Sequence, residues 1–151
     1  MEILKSGSIF SQIVKTANRL EVLANKYILE PLELTISSLT ILDLIYKDKS
    51  VTPTQMMKAI YCSKSNITQR LNVMEKGGLI VRKPSPSEKD KRKIGIAMTE
   101  EGKKRYLQAM TVVRSKGAEV ESRLRKADIA DHHLFLENIN RILDSYEQKK
   151  S

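Results

Sequence analysis

Two helix starts lie close together in the middle of this chain, and their spacing constrains the fold more than any other feature. Thr52 can cap a helix, Pro53 suits the first helical position, and Gln55 can reach back to complete a capping box. That helix is short, because Ser63 or Lys64 begins the next one. Two short helices joined by a tight turn are typical of a helix-turn-helix.

The second of these helices has one apolar side and a sharp end. Ile67, Leu71 and Met74 recur at helical spacing, and Gly77-Gly78 stops the helix. The other side has no acidic residue before Glu75, and its residue types suit phosphates and base edges. We therefore predict DNA contacts at Lys64, Ser65, Asn66, Thr68, Gln69 and Asn72.

Two short β-patterns follow this helix. Leu79-Ile80-Val81 is rich in β-branched residues, and residues 94–98 alternate between apolar and smaller side chains. A charged, proline-containing stretch from Lys83 to Lys93 separates them. The pattern predicts two antiparallel strands, so the middle of the chain is expected to form a winged helix-turn-helix.

Helices are expected on both sides of this middle part. An apolar stripe along the N-terminal segment predicts a long helix that ends near Glu30-Pro31. Thr35 is expected to cap a second helix. The stripe of the first helix is Ile9, Ile13, Ala17, Leu20, Ala24 and Tyr27, and the face of the second is Leu39, Leu42 and Ile45 or Tyr46.

The C-terminal third predicts two more helices. Thr99 begins one that runs to about residue 126, although Gly102 and Gly117 each cost it about 1 kcal/mol relative to alanine. Asp128 or Asp131 is expected to cap the last helix. Its apolar face consists of Phe135, Ile139, Ile142 and Tyr146.

The apolar stripes of the terminal helices need a partner. We predict a homodimer in which they are buried against a second copy of the chain. The alternative is a monomer whose termini fold onto its own core. The expected class is mainly α with a small antiparallel β-wing, divided into an N-terminal dimerisation helix (1–33), a winged helix-turn-helix (34–102) and C-terminal dimerisation helices (103–151).

The positive charge is concentrated in the middle of the chain. Residues 51–105 carry 13 basic and 5 acidic side chains, which accounts for +8 of the formal +9. The segments on either side are close to neutral. A basic middle between balanced ends is the footprint of a nucleic-acid site, although basic patches also serve membranes and acidic proteins.

Several classes of protein are excluded by the sequence. Cys62 is the only cysteine, so neither an internal disulfide nor a multi-cysteine metal site can form. No phosphate loop, nucleophile elbow or metal-binding helix motif is present, so we expect no enzyme, no catalytic or metal site and no cofactor. No apolar run reaches the length of a membrane span and no signal peptide is evident, so we expect a cytoplasmic protein.

Five short stretches carry a resemblance to a known family. They are Leu34-Thr35, Ser65 to Leu71, Met74 to Ile80 with Arg82, Asp90-Lys91-Arg92, and Met98 to Gly102. With these motifs, the chain from Leu34 to Gly102 resembles the MarR family of bacterial transcription regulators. The flanking helices agree in length and position, so the resemblance extends to nearly the whole chain. Ser38 is a departure, since the family often has glutamine there.

The resemblance implies a dimer that binds double-stranded DNA at a pseudo-palindromic operator. Each recognition helix would lie in a major groove, and each wing would reach a neighbouring minor groove. Arg92 would enter that groove, where the negative potential attracts arginine, with Asp90 orienting it. Arg82 would support the hairpin or contact a phosphate. Because the wing is longer than usual, Lys89, Lys91 and Lys93 share the expected contact.

The functional prediction is a sequence-specific transcription regulator that acts more often as a repressor than as an activator. The family also implies a small lipophilic or phenolic effector that binds between the dimer helices and the winged domain. Two alternatives stay open at this point. One is an architectural protein that binds any DNA duplex, and the other is a winged-helix module that docks an acidic protein.

Overall fold

Six α-helices and a two-stranded antiparallel sheet make up the described part of the chain, which comprises residues 8–49, 51–84 and 94–148 of a computed structural model. This confirms the expected mainly α class with a small β-hairpin. The elements are α1 (Ile9–Ala24), α2 (Ile36–Lys47), α3 (Pro53–Ala59), α4 (Lys64–Lys76), β1 (Ile80–Pro84), β2 (Ile94–Met98), α5 (Glu100–Glu121) and α6 (Lys126–Gln148).

The segment after α1 differs from the prediction of one long helix ending near Glu30-Pro31. The α-helix ends at Ala24 and continues as a π-helical turn and then a 3-10 turn, Glu30–Leu32, which contains the proline. The side-chain oxygen of Asn25 accepts a hydrogen bond of 2.8 Å from the backbone N–H of Ile36. This contact draws Asn25, at the start of the π-turn, to the start of α2.

Helix α2 begins as predicted. The Thr35 hydroxyl accepts from the Ser38 N–H at 3.2 Å, and the Ser38 hydroxyl accepts from the Thr35 N–H at 2.8 Å, which completes a capping box. The buried face contains Leu42 and Ile45, as expected, and also Ile41, whereas Leu39 is only half-buried. Of the two alternatives at the end of this face, Ile45 is the buried one.

The chain forms two compact units, Met1–Val112 and Val113–Ser151. In the first unit, aliphatic side chains from several elements form a common core, and each contributes about 1.5–3 kcal/mol by its burial. Tyr106 is also buried, and its hydroxyl donates to Asp43 at 2.7 Å. The largest of the fully buried side chains are Leu29, Ile41, Leu42, Met56, Ile67 and Ile80.

The second unit contains the end of α5 and helix α6, and the expected cap of α6 is wrong. The helix begins at Lys126, before Asp128 and Asp131, so neither residue can be the cap. Instead, Asp128 lies in the first turn and pairs with Arg125 at 2.6 and 2.8 Å, and this hydrogen bond lowers the pKa of Asp128. In the described ranges, no helix is long and apolar enough to cross a bilayer.

The start of α5 packs tightly against the end of the α4–β1 connection. The Thr99 hydroxyl donates to the Gly78 carbonyl and accepts from the Gly102 N–H at 2.9 Å, so it caps the helix as predicted. A Cβ placed on Gly102 would lie 2.0 Å from the Leu79 carbonyl oxygen, whereas one on Gly117 would meet nothing within 4 Å. Helix α5 continues through both glycines and ends at Glu121, before the expected residue 126.

We therefore expect opposite effects from the same substitution at these two glycines. Gly102→Ala should lower the free energy of unfolding by about 1–3 kcal/mol or more, because the new methyl group overlaps a backbone carbonyl. Gly117→Ala should raise it by about 0.4–1 kcal/mol, since alanine restricts the unfolded chain and favours helix. Urea denaturation at one protein concentration measures both. A harmless Gly102→Ala would contradict the close approach of α5 to Leu79.

Candidate nucleic-acid interface

Helices α3 and α4 form the predicted helix-turn-helix, and local hydrogen bonds set the start of each helix. The Thr52 hydroxyl accepts from the Gln55 N–H at 3.3 Å, and the Gln55 side chain accepts from the Thr52 N–H at 2.8 Å. Ser63 caps α4 by accepting from the Asn66 N–H at 3.3 Å. In the turn between them, Tyr61 takes a left-handed φ of 50°.

The buried side of α4 determines which residues point outwards. Ile67, Leu71 and Met74 are buried, as predicted, with exposed fractions of 2–4%. Because a helix repeats every 3.6 residues, this stripe places the intervening positions towards solvent. All six predicted contact residues are accordingly exposed, namely Lys64, Ser65, Asn66, Thr68, Gln69 and Asn72.

Some of these polar groups are already engaged by their own helix. The Thr68 hydroxyl donates to the Lys64 carbonyl at 2.9 Å, and the Ser65 hydroxyl lies 3.0 Å from that of Ser63. The side chain of Gln69 makes no hydrogen bond within the part of the chain that the structure describes. The same holds for Asn66, so both amides have a donor and an acceptor that a partner can use.

Arg82 on β1 is linked to α4 by a small polar network. Its Nη1 pairs with the carboxylate of Glu75, and its backbone N–H donates to the same carboxylate at 3.3 Å. Its Nη2 donates to the Asn72 side-chain oxygen at 2.7 Å. These contacts link the base of the hairpin to α4, and the role of Arg82 in binding stays a prediction. The only acidic side chain of α4 is neutralised in this network.

The hairpin that would form the wing has the predicted antiparallel pairing. Ile80 lies opposite Met98, and the register continues to Pro84 opposite Ile94. The remaining predicted wing residues, Lys89, Asp90, Lys91, Arg92 and Lys93, lie outside the described residues.

A cleft of about 360 Å³ beside α4 was not predicted from the sequence. It lies between α4 and the start of α2, and Thr35 and Ser38 line it together with residues of α4. Arg70, an exposed cation on this side of α4, is a candidate contact residue that the sequence reasoning missed. Its position four residues after Asn66 was the available signal, because i and i+4 share a helix face. The other lining residues are Asn66, Gln69, Val73 and Met74.

The charges around this surface favour an anionic partner. Lys64, Arg70 and Lys76 lie on α4 together with the paired Glu75. Elsewhere in the first unit, Arg105 hydrogen-bonds to Glu101 at 2.7 Å, which lowers the pKa of that carboxyl, and also pairs with Glu33. Within the described residues, no group of three or more His, Cys, Asp or Glu side chains could hold a metal ion.

The cap of α4 leads to a stability prediction. Ser63→Ala removes the acceptor for the Asn66 N–H and should lower the free energy of unfolding by about 1 kcal/mol. Ser115→Ala, at an exposed serine inside α5 whose side chain makes no hydrogen bond among the described residues, is the matched control and should leave stability unchanged or slightly raised. Urea denaturation compares the two. Equal effects would show that the Ser63 cap does not hold the start of α4.

The chain is similar to known DNA-binding regulators in both sequence and fold. Residues 34–94 match the model of the MarR family. No curated protein matches the chain. Among solved structures, apo MarR from E. coli has a TM-score of 0.72 at 22% identity, covering 88% of this chain and 97% of its own.

Two further solved structures have a similar fold. S. aureus MepR, solved in complex with DNA, has a TM-score of 0.73 at 18% identity and covers 90% of this chain and 95% of its own. The transcriptional regulator BldR from Sulfolobus solfataricus has a TM-score of 0.74 at 21% identity and covers 96% of this chain and 99% of its own. At these identities the likeness establishes the fold along nearly the whole chain.

Proposed function

We propose that the chain is a sequence-specific, double-stranded DNA-binding transcription regulator of the MarR family. The match of residues 34–94 to the model of that family, whose members are transcription regulators, supports the proposal. The observation that carries the proposal is the outer side of α4. It is polar and basic, and it faces solvent because the opposite side of the helix is buried in the core. Its single carboxylate is neutralised by Arg82.

The first turns of α4 would supply the major-groove contacts. Gln69 and Asn66 carry amides that can bind base edges, and the amide of Gln69 has both its donor and its acceptor available. Lys64 and Ser65 lie at the N-terminus of the helix, where the backbone N–H groups and the helix dipole favour phosphate. Arg70 adds a further cation that would contact the DNA backbone. Thr68 and Asn72 complete the proposed surface.

The wing would contact the neighbouring minor groove. Arg92 would insert there because a narrow minor groove concentrates negative potential, and Asp90 would orient it. Lys89, Lys91 and Lys93 would share this contact along the longer wing. The network of Arg82 with α4 supports this proposal, since it links the base of the wing to the recognition helix.

A homodimer would provide the second DNA-binding domain. Helix α1 has no buried residue, and six large apolar side chains are exposed on it, as are six on α6. Exposed apolar area on this scale is typical of a protein interface. The two recognition helices would then bind half-sites about 10–10.5 base pairs apart, so the operator would be pseudo-palindromic.

The regulatory part of the proposal is repression in the cytoplasm that a small effector relieves. An effector regulates only if it prefers the helix spacing that does not fit the operator. A cleft of about 360 Å³ in the first unit suits a lipophilic or phenolic molecule. Its wall combines apolar side chains with three charged ones. They include Ile45, Ile96 and Met98, the cations Lys49 and Lys103, and the carboxylate of Glu100.

Two other functions make different predictions. An architectural protein would bind any duplex with similar affinity, and α4 would then need no base-reading amides. A protein-interaction module would dock an acidic partner, and substitutions on α4 would then leave DNA binding unaffected. The exposed amides of Gln69 and Asn66 favour sequence-specific recognition over both.

Base reading by Gln69 can be tested with a selected operator. Preferred duplexes are first selected from a random library, and affinity is then measured for every single-base variant. Gln69→Ala should weaken discrimination at one position of each half-site by about 1–3 kcal/mol, because a base-edge contact is lost. Gln108→Ala, at an exposed glutamine on α5, is the control and should keep the full preference. Full discrimination by Gln69→Ala would contradict the proposed register of α4.

If the protein is a dimer, a single substitution at the interface should halve its mass in solution. Ile142 is exposed by 55% on α6, and Ile142→Lys should shift the protein from dimer towards monomer, because a buried charge is costly at an apolar interface. Asn140→Lys adds the same charge two residues away and should leave the dimer intact. Sedimentation equilibrium measures both masses. A monomeric natural protein would contradict the proposed dimer.

A further inference from the structure

Asn72 is held by a residue that comes from another element. Its side-chain oxygen lies 2.7 Å from Nη2 of Arg82 on β1, and Arg82 is itself fixed by two contacts with Glu75. The guanidinium is only partly exposed, at 29%. The hydrogen bond to Arg82 therefore fixes the orientation of the Asn72 amide, although this side chain lies on the exposed side of α4.

The chemistry of the contact determines which end of the amide faces outwards. A guanidinium carries only donors, so the amide atom beside Arg82 must be the oxygen. The amide nitrogen of Asn72 then points away from Arg82. Among the described residues, this nitrogen donates to no partner.

From this geometry, and resting on the function proposed above, we propose that Asn72 serves the operator as a hydrogen-bond donor and that Arg82 and Glu75 set this polarity. An asparagine reads adenine by turning both its oxygen and its nitrogen to the base, and the oxygen of Asn72 is turned to β1 instead. The partner of Asn72 is thus an acceptor on the DNA. Arg82 is a positioning residue, because it acts through Asn72.

Two groups on the duplex offer such an acceptor. One is the edge of guanine, with acceptors at O6 and N7, and cytosine would be disfavoured there because it presents a donor. The other is a phosphate oxygen, which carries no sequence information. Both have the same hydrogen-bonding chemistry, and base preference at one operator position distinguishes them.

The first variant replaces the outward-facing donor of Asn72 with an acceptor. Asn72→Asp has the same shape and keeps an oxygen for Arg82, but it replaces the donor NH₂ with a second acceptor. Affinity for the selected operator should fall roughly tenfold or more, while the urea midpoint stays the same or rises. Val73→Asp adds the same charge on α4 at an exposed position that is not a proposed DNA contact, so it controls for general repulsion of phosphates. Asn72→Asp that binds as tightly as the natural protein would overturn the inference.

The second variant releases the amide. Arg82→Met removes the guanidinium, so the Asn72 amide can rotate and pair with adenine. If the acceptor is guanine, adenine should become tolerated at one position of each half-site, and Arg82→Lys, which also has only donors, should restore the preference for guanine. If the acceptor is a phosphate, Asn72→Asp should weaken all duplexes equally and Arg82→Met should alter no base preference.

A purely structural role of Arg82 has a different signature. Arg82→Met would then lower the urea midpoint and weaken binding, whereas Asn72→Asp would weaken binding no more than Val73→Asp does. This result would overturn the inference. A separate experiment on the natural protein tests the proposed function. A natural chain that binds selected and shuffled duplexes alike would contradict sequence-specific recognition, whatever the variants do.

Discussion

The burial of three side chains of α4 is the constraint on which the rest of the site depends. Ile67, Leu71 and Met74 pack into the core of the first unit, and their helical spacing leaves α4 a single outer side. Each buried side chain is worth about 1.5–3 kcal/mol, which is far more than any exposed polar contact contributes. The direction in which Gln69 and Asn66 point is therefore a consequence of core packing.

Whereas core packing sets the outer side of α4, polar contacts set where the helix starts, how its carboxylate is paired and how one amide is oriented. Ser63 sets the start of α4, so it decides which residues lie at the positive end of the helix. Arg82 links β1 to the helix and neutralises Glu75, which would otherwise repel phosphates. The same guanidinium also orients Asn72. One side chain thus couples the base of the wing, the electrostatics of α4 and the polarity of one amide.

Features determined by local contacts were predictable from the sequence. The caps Thr35, Thr52 and Ser63 all bond to a group three residues away, so the pattern that predicts them is short. The buried stripe of α4 and the two strands follow from periodicity in the same way. The six predicted contact residues on α4 are exposed, and their role in binding stays a prediction.

The features that were not predictable join distant parts of the chain. The π-helical turn involves a bond from the Ile36 backbone to Asn25, eleven residues away. The orientation of Asn72 depends on Arg82, ten residues away, and the cleft beside Arg70 involves Thr35 of the α2 cap. Propensity does not encode such tertiary contacts. The start of α6 at Lys126 was missed for a local reason, because Asp128 and Asp131 are both good caps and the helix uses neither.

One binding measurement tests most directly whether the outer side of α4 recognises a DNA sequence. Purified protein is titrated against the DNA upstream of its own gene and against a shuffled duplex of the same composition, over a series of salt concentrations. We expect a strong preference for the natural segment and a steep loss of affinity with salt, since cations on α4 and the wing would displace counterions from the DNA. Equal binding to both duplexes, or no binding to either at low salt, would contradict this expectation.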